Sequence, residues 1–163
     1  MDDTVGLAIA FEEAKASYAE GGIPIGAALV ASDGKLLGRG HNMRVQLGSP
    51  IHHGETSALF NSGRLSAKAY QGSTMFTTLS PCDMCTGACL LYGIARVVIG
   101  ENKNFLGGEA YLRQRGVEVV VLDDADCKEL MDKFIDEKPE LNEDIGVEER
   151  VYSKEQGAAT NPA

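Results

Sequence analysis

Pro81-Cys82-Asp83-Met84-Cys85 sets two thiols three residues apart. If the segment after Pro81 is helical, both thiols share one face of its first turn and can grip a single metal ion. Upstream stands His53-Gly54-Glu55, with an imidazole as third ligand and a carboxylate two residues beyond it. One imidazole and two thiolates are a zinc donor set, and three protein ligands leave the fourth tetrahedral position of the ion open. An ion held that way lowers the pKa of bound water to about 7. Unpaired backbone N–H groups at a helix N-terminus favour the thiolate form of both cysteines, and Pro81 suits such an entrance because it has no N–H to lose. His53 and Glu55 are two apart and diverge on a helical turn, so Glu55 is free to act as a base.

Two other readings of the same residues stay open at this level. A structural zinc site closes with four protein ligands, and Cys89, Cys127, His52 or His41 is available by type. A redox Cys82–Cys85 disulfide is the other, although it leaves the His-x-Glu element without a role. The His-x-Glu spacing selects His53 over its neighbour His52.

At 163 residues with 44% hydrophobic content, the chain suits one domain with a real core. That domain is expected over residues 1–150, with a flexible tail over 151–163 whose composition is small and polar. No early apolar run reads as a signal peptide or membrane span, and four cysteines with two in a metal pattern fit a reducing, intracellular compartment. The formal net charge is −9, from 15 basic and 24 acidic residues, with no basic cluster. A protein that grips nucleic acid must neutralise phosphates, so a free, uncharged small molecule is the better expected substrate.

Along the chain, helical spacing over 3–20 ends at Gly21-Gly22, and strands over 25–31 and 35–40 flank the turn Ser32-Asp33-Gly34 to make a hairpin. Residues 43–52 read as irregular. A short helix over 54–61 carries Glu55, a strand over 73–78 leads through Ser80-Pro81 into a helix over 83–92, and 96–100 is an apolar strand buried on both faces. The 16 residues between Gly100 and Val117 hold a helix over 107–115, which favours a parallel partner strand over 117–122. A last helix runs over 124–137, capped by Asp123 or Asp124 and stopped by Pro139.

With these residues placed, the chain resembles the fungal cytosine deaminases, within the cytidine and nucleobase deaminase superfamily. His-x-Glu followed by Pro-Cys-x-x-Cys is the zinc deaminase signature. Longer runs carry the likeness to one branch: Gly-Gly-Ile-Pro-Ile-Gly (21–26), Leu-Gly-Arg-Gly-His-Asn-Met-Arg (37–44), Thr-Thr-Leu-Ser-Pro-Cys-Asp-Met-Cys-Thr-Gly-Ala (77–88), Gly-Glu-Asn (100–102) and Glu-Asp-Ile-Gly (143–146). The resemblance implies a three-layer α/β/α sandwich around a five-stranded mixed sheet whose last two strands are parallel, one catalytic zinc ion per subunit, and a cytosolic homodimer. It implies that free cytosine is hydrolysed to uracil and ammonia in pyrimidine salvage, with no nucleic acid or membrane as partner.

By the same resemblance His53, Cys82 and Cys85 hold zinc, and Glu55 protonates N3 and later the leaving amino group. Asn42 recognises the base through its amide, Asp144 accepts from the amino group, and Ser80 offers a backbone carbonyl. Gly54, Phe105 and Ile25 complete the expected pocket. Val45 and Leu141 stand where the family carries Phe and Trp, so the pocket loses aromatic bulk and a larger or substituted heterocycle is the alternative substrate. A nucleic-acid-editing enzyme and a non-catalytic zinc module are the remaining classes.

Overall fold

The computed structural model describes residues 1–143. Asp144 and the expected tail lie outside the described residues. Five strands form one sheet: β1 (Gly26–Val30), β2 (Leu36–His41), β3 (Thr74–Leu79), β4 (Arg96–Glu101) and β5 (Glu118–Val121), in the order β2-β1-β3-β4-β5. β1 runs antiparallel to both β2 and β3, whereas β3–β4 and β4–β5 are parallel. The long connection ahead of β5 explains the last parallel pair, since a hairpin turn cannot reverse direction twice.

Strand side chains alternate between two layers. Ala27, Leu29, Met75, Val97 and Ile99 pack with Ala58, Cys89, Ile94 and Leu112 on one face. Ala28, Val30, Phe76 and Val98 pack with Leu7, Ala10 and Cys127 on the other. The first face is covered by α3 (Gly54–Ser62), α5 (Asp83–Leu91) and α6 (Glu109–Gln114), the second by α1 (Asp3–Ala19) and α7 (Ala125–Glu137). This is the three-layer α/β/α arrangement with a mixed sheet. β4 has apolar side chains in both layers, which is why its sequence shows no alternation.

Three short helices were not legible in the sequence. α2 (Arg44–Leu47) and α4 (Ala67–Tyr70) are single turns, too brief to show a period. α7 stops ahead of Pro139 as expected, at Lys138 with φ −141° and ψ 62°, and Pro139 also opens α8 (Pro139–Glu143). A proline at a first helical position has no N–H to leave unpaired, so the same residue ends one helix and starts the next. At the start of α7 it is Asp124 that caps, accepting from Cys127 N at 2.8 Å.

Two glycines of β2 let α3 lie against the sheet. A Cβ on Gly38 would fall 2.4 Å from Ala58 O, and one on Gly40 would fall 2.7 Å from the Ser57 carbonyl carbon. Any side chain there would lift the helix that carries Glu55.

Candidate metal centre and active site

His53 is the N-cap residue of α3, and Cys82 is the N-cap residue of α5, with Cys85 one turn further on. Two helix N-termini therefore face one another across the ends of β1 and β3. The three ligand atoms lie within 4.8 Å of one another. His53 Nδ1 is 3.4 Å from Cys82 Sγ and 3.6 Å from Cys85 Sγ. Zn–N and Zn–S bonds of ordinary length at a tetrahedral angle span about 3.6 Å, so the donors already stand at the separation one zinc ion requires. His53 Nε2–H donates to Pro50 O at 3.2 Å, which fixes the ring and turns the Nδ1 lone pair toward the sulfurs.

No fourth protein ligand joins them among the described residues. Cys89 is buried in the core beneath α5, and Cys127 lies in the layer on the opposite face of the sheet. His41 is held between Glu13 at 2.6 Å and Glu20 at 3.0 Å. His52 Nδ1 is bonded to Ser49 Oγ at 2.6 Å, and its ring packs edge-on to Phe60. All four cysteines are free thiols, so the disulfide reading is overturned.

The electrostatics suit a cation. The Cys82 thiol is pulled down to about 4, first by a hydrogen bond from Cys85, against the opposing effect of burial, and then by His53. The Cys85 thiol is pushed well up by the same contact and by burial. Burial alone would lower His53, but the Cys82 thiolate beside it wins and raises it. Two sulfurs in contact thus share one proton until a cation displaces it.

Glu55 is the second residue of α3 and is buried beside this cluster. Its carboxyl is raised, chiefly by burial and then by the Cys82 charge, against the pull of Cys85 and Thr77. Thr77 Oγ1 lies 2.6 Å from Glu55 Oε1 and 3.0 Å from Leu79 O. The hydroxyl has one proton: it donates to Glu55 when that carboxylate is ionised, and to Leu79 O when Glu55 is protonated and donates in turn. Either protonation state of Glu55 is therefore accommodated.

A pocket of ≈ 410 Å³, open to solvent at its mouth, leads to Glu55 and is lined by Ile25, Asn42, Arg44, Leu79, Ser80 and Phe105 together with His53 and Cys82. Asn42 is clamped: its N–H donates to Ile25 O at 2.8 Å, its carbonyl accepts from Ser17 Oγ at 2.8 Å, and its Oδ1 accepts from Arg44 N at 3.1 Å. With Oδ1 so engaged, the Asn42 amide offers its NH₂ as the ready donor.

Other expected pocket residues are placed elsewhere. Gly54 opens α3, where an added Cβ would fall 3.3 Å from Ile25 O and from the Gly26 carbonyl carbon, and it is not among the lining residues. Val45 is not at the wall either: it sits on the outer side of α2 with 40% of its surface exposed. Leu141 packs in the apolar cluster that also holds Ile25, Leu79 and Phe105, three residues that line the pocket, and is not itself among the lining residues. Asp144 lies outside the described residues. Arg44 and Leu79 were missed as lining residues. Arg44 adjoins Asn42 in the quoted run, but only the turn of α2 brings it to the pocket.

The family model for the cytidine and deoxycytidylate deaminase zinc-binding region matches residues 2–101. This chain belongs to that family. Among curated relatives, it is 60% identical over 147 residues to a cytosine deaminase of Candida albicans, covering 90% of this chain and 98% of that one. A tRNA-specific adenosine deaminase of Streptococcus pyogenes is 37% identical over 111 residues, 64% of this chain and 66% of that one. Among solved structures, a guanine deaminase from Nitrosomonas europaea aligns with a TM-score of 0.64 at 25% identity, over 79% of this chain and 82% of that one. The names of these three relatives record cytosine, tRNA adenosine and guanine as what each deaminates.

Proposed function

We propose that the protein is a zinc-dependent hydrolase converting free cytosine to uracil and ammonia. The observation that carries this reading is Glu55, buried between a three-ligand zinc cluster and a small pocket, with Thr77 holding one of its oxygens in place. The likeness to the Candida albicans cytosine deaminase, extending over nearly the whole of that chain, supports cytosine as the base.

His53, Cys82 and Cys85 hold the ion, which when bound supplies the Lewis acidity that makes hydroxide available at neutral pH. Glu55 keeps Oε1 on Thr77 and takes the proton of the attacking water on Oε2. It delivers that proton to N3 of the ring, then takes the proton of the hydroxyl newly added at C4 and passes it to the amino nitrogen as the C4–N bond breaks, leaving the uracil carbonyl and ammonia. Asn42 donates through Nδ2 to the ring carbonyl, and the Ser80 backbone carbonyl accepts from the substrate's N–H edge. Ile25 and Phe105 enclose the ring and exclude water.

The decisive experiment is ammonia release by the zinc-loaded protein from cytosine, 5-substituted cytosines, cytidine, adenine and guanine, with Glu55→Gln as the blank. Fast turnover of cytosine is expected, and activity confined to another base would overturn the substrate while keeping the chemistry.

The reading extends to a homodimer acting on free bases in the cytoplasm. An apolar groove along α3 and α5 leaves Phe60 and Leu91 each about three-quarters exposed, with Met84 and Tyr92 beside them. A surface of that kind suits a second copy. Sedimentation of the native chain should report a dimer, and Leu91→Asp should yield a monomer. The excess of acidic residues supports a free base over nucleic acid, and four unpaired thiols suit a reducing compartment, testable by cell fractionation.

A further inference from the structure

Two buried carboxylates stand outside the reacting centre, and together they frame the loop that carries Phe105. Glu101, at the end of β4, accepts from Lys103 N at 2.7 Å, Asn104 N at 3.0 Å and Asn104 Nδ2 at 2.9 Å. Glu109, at the start of α6, has a side chain only 4% exposed. Its Oε2 accepts from Ser80 Oγ at 2.7 Å, and both its oxygens lie 3.2 Å from Asn102 Nδ2. Arg113, half exposed, approaches only to 3.9 Å.

We propose that Glu109 is a positioning residue for base binding, holding Ser80 and the Phe105 loop at the spacing the substrate ring requires. This rests on the reading of the pocket as a nucleobase site. The Ser80 hydroxyl has a single proton, and its donation to Glu109 turns the oxygen lone pairs outward. One of them accepts from Gly107 N at 3.0 Å, two residues from Phe105. Gly108 N donates to Pro81 O at 3.0 Å, and a Cβ on Gly107 would fall 1.8 Å from that same carbonyl, so the loop end is pressed flat onto Ser80-Pro81. Asn102 ties the loop start to the same carboxylate. One buried side chain therefore sets the distance between two pocket residues, Ser80 and Phe105, that lie on separate segments. It touches neither substrate nor metal, so its loss is read first in substrate binding. Displacing a wall by a fraction of an ångström loosens a small flat ligand severely, while the zinc ligands and Glu55, held by α3 and α5, stay in place.

The test compares Glu109→Ala, Glu109→Gln and Ser80→Ala in the zinc-loaded full chain. Glu109→Ala is expected to raise KM for cytosine about tenfold or more, with kcat within about threefold and one zinc per chain retained. Glu109→Gln is expected to restore KM to within about threefold. Its amide oxygen still accepts from Ser80, and Asn102 can turn its otherwise unpartnered Oδ1 to the new NH₂. Ser80→Ala, which leaves Glu109 bonded to Asn102, should raise KM by a smaller factor and serves if Glu109→Ala does not fold.

A second readout needs no activity. The chain has no tryptophan, so Phe105→Trp makes a single reporter on the loop. Acrylamide quenching of that reporter should rise at least about twofold when Glu109→Ala is added and stay level with Glu109→Gln. Unchanged KM and unchanged quenching in folded Glu109→Ala would overturn the proposal, as would kcat and zinc content falling by as large a factor as KM rises. Inactivity of the wild type on cytosine would overturn the substrate instead, and the quenching comparison would still decide the role of Glu109.

Discussion

The two halves of the pocket are built differently. The reacting half, His53, Glu55, Cys82 and Cys85, stands on the first turns of two helices seated over the central strands. The recognising half, Asn42, Ser80 and Phe105, stands on segments between elements and is held by long-range hydrogen bonds to α1, to Ile25 just ahead of β1, and to α6. Groups that make and break bonds are fixed by secondary structure, whereas groups that choose the substrate hang on a polar web that can be retuned one bond at a time. The first kind of support resists change, and the second invites it.

The sharpest way to separate the halves is Glu55→Gln. It should lower kcat by about 10³- to 10⁴-fold with zinc retained and base binding little altered, measured by ammonia release and calorimetric titration. Stability should move the other way. The folded carboxyl is raised, so it keeps its proton to higher pH than the unfolded one, and native stability falls as pH rises through that interval. Gln removes this loss, and the zinc-free variant should melt no lower than zinc-free wild type at neutral pH. A large rise in KM in this variant would erase the division between halves.

In the recognising half, Asn42→Ala should raise KM about 10²-fold while kcat falls much less, because it removes the oriented amide and leaves Glu55 untouched. Zinc affinity should depend on pH through the reacting half alone. Cys82, down at about 4, has no proton to lose near neutrality, whereas the raised Cys85 must release one, so apparent affinity should climb about tenfold per pH unit above neutrality. Once the pH is low enough for the raised His53 to be protonated it adds a second proton and the slope should steepen, as competition with a chelator across about three pH units spanning neutrality will show. The smallest effect belongs to Val45→Phe. An exposed site on α2 should change kcat/KM for cytosine by less than about twofold, and a large shift would bring residue 45 back to the wall.

The reacting half was legible in the sequence because each of its motifs is local. Cys82 and Cys85 lie within one turn, His53 and Glu55 within three residues, and helix N-termini follow from Pro81 and from the break before Gly54. The five strands were legible for a similar reason, since each is a short apolar or alternating run closed by turn residues. The recognising half was legible only where resemblance supplied Asn42, Ser80 and Phe105. Nothing in the local pattern distinguishes Glu109 from any acidic residue opening a helix, or Thr77 from any threonine in a strand. Their roles come from partners 29 and 22 residues away. Val45 and Leu141 were named from matching positions in a linear run; the fold leaves Val45 40% exposed on α2 and sets Leu141 against the Ile25 cluster, neighbours that a linear run does not display.

The 29-residue separation of His53 from Cys82 also orders the assembly of the centre in time. Cys82 and Cys85 are neighbours in any nascent turn, before the sheet exists. His53 joins them only when β1 has paired with β3 and α3 has settled on Gly38 and Gly40, contacts whose loops close late. Zinc met early is therefore held by two thiolates in the unfolded chain, which weakens its pull toward the native state, and the imidazole arrives as the latch that completes capture. Refolding with zinc present should accordingly gain little in rate over refolding followed by zinc, while unfolding of the loaded protein slows greatly.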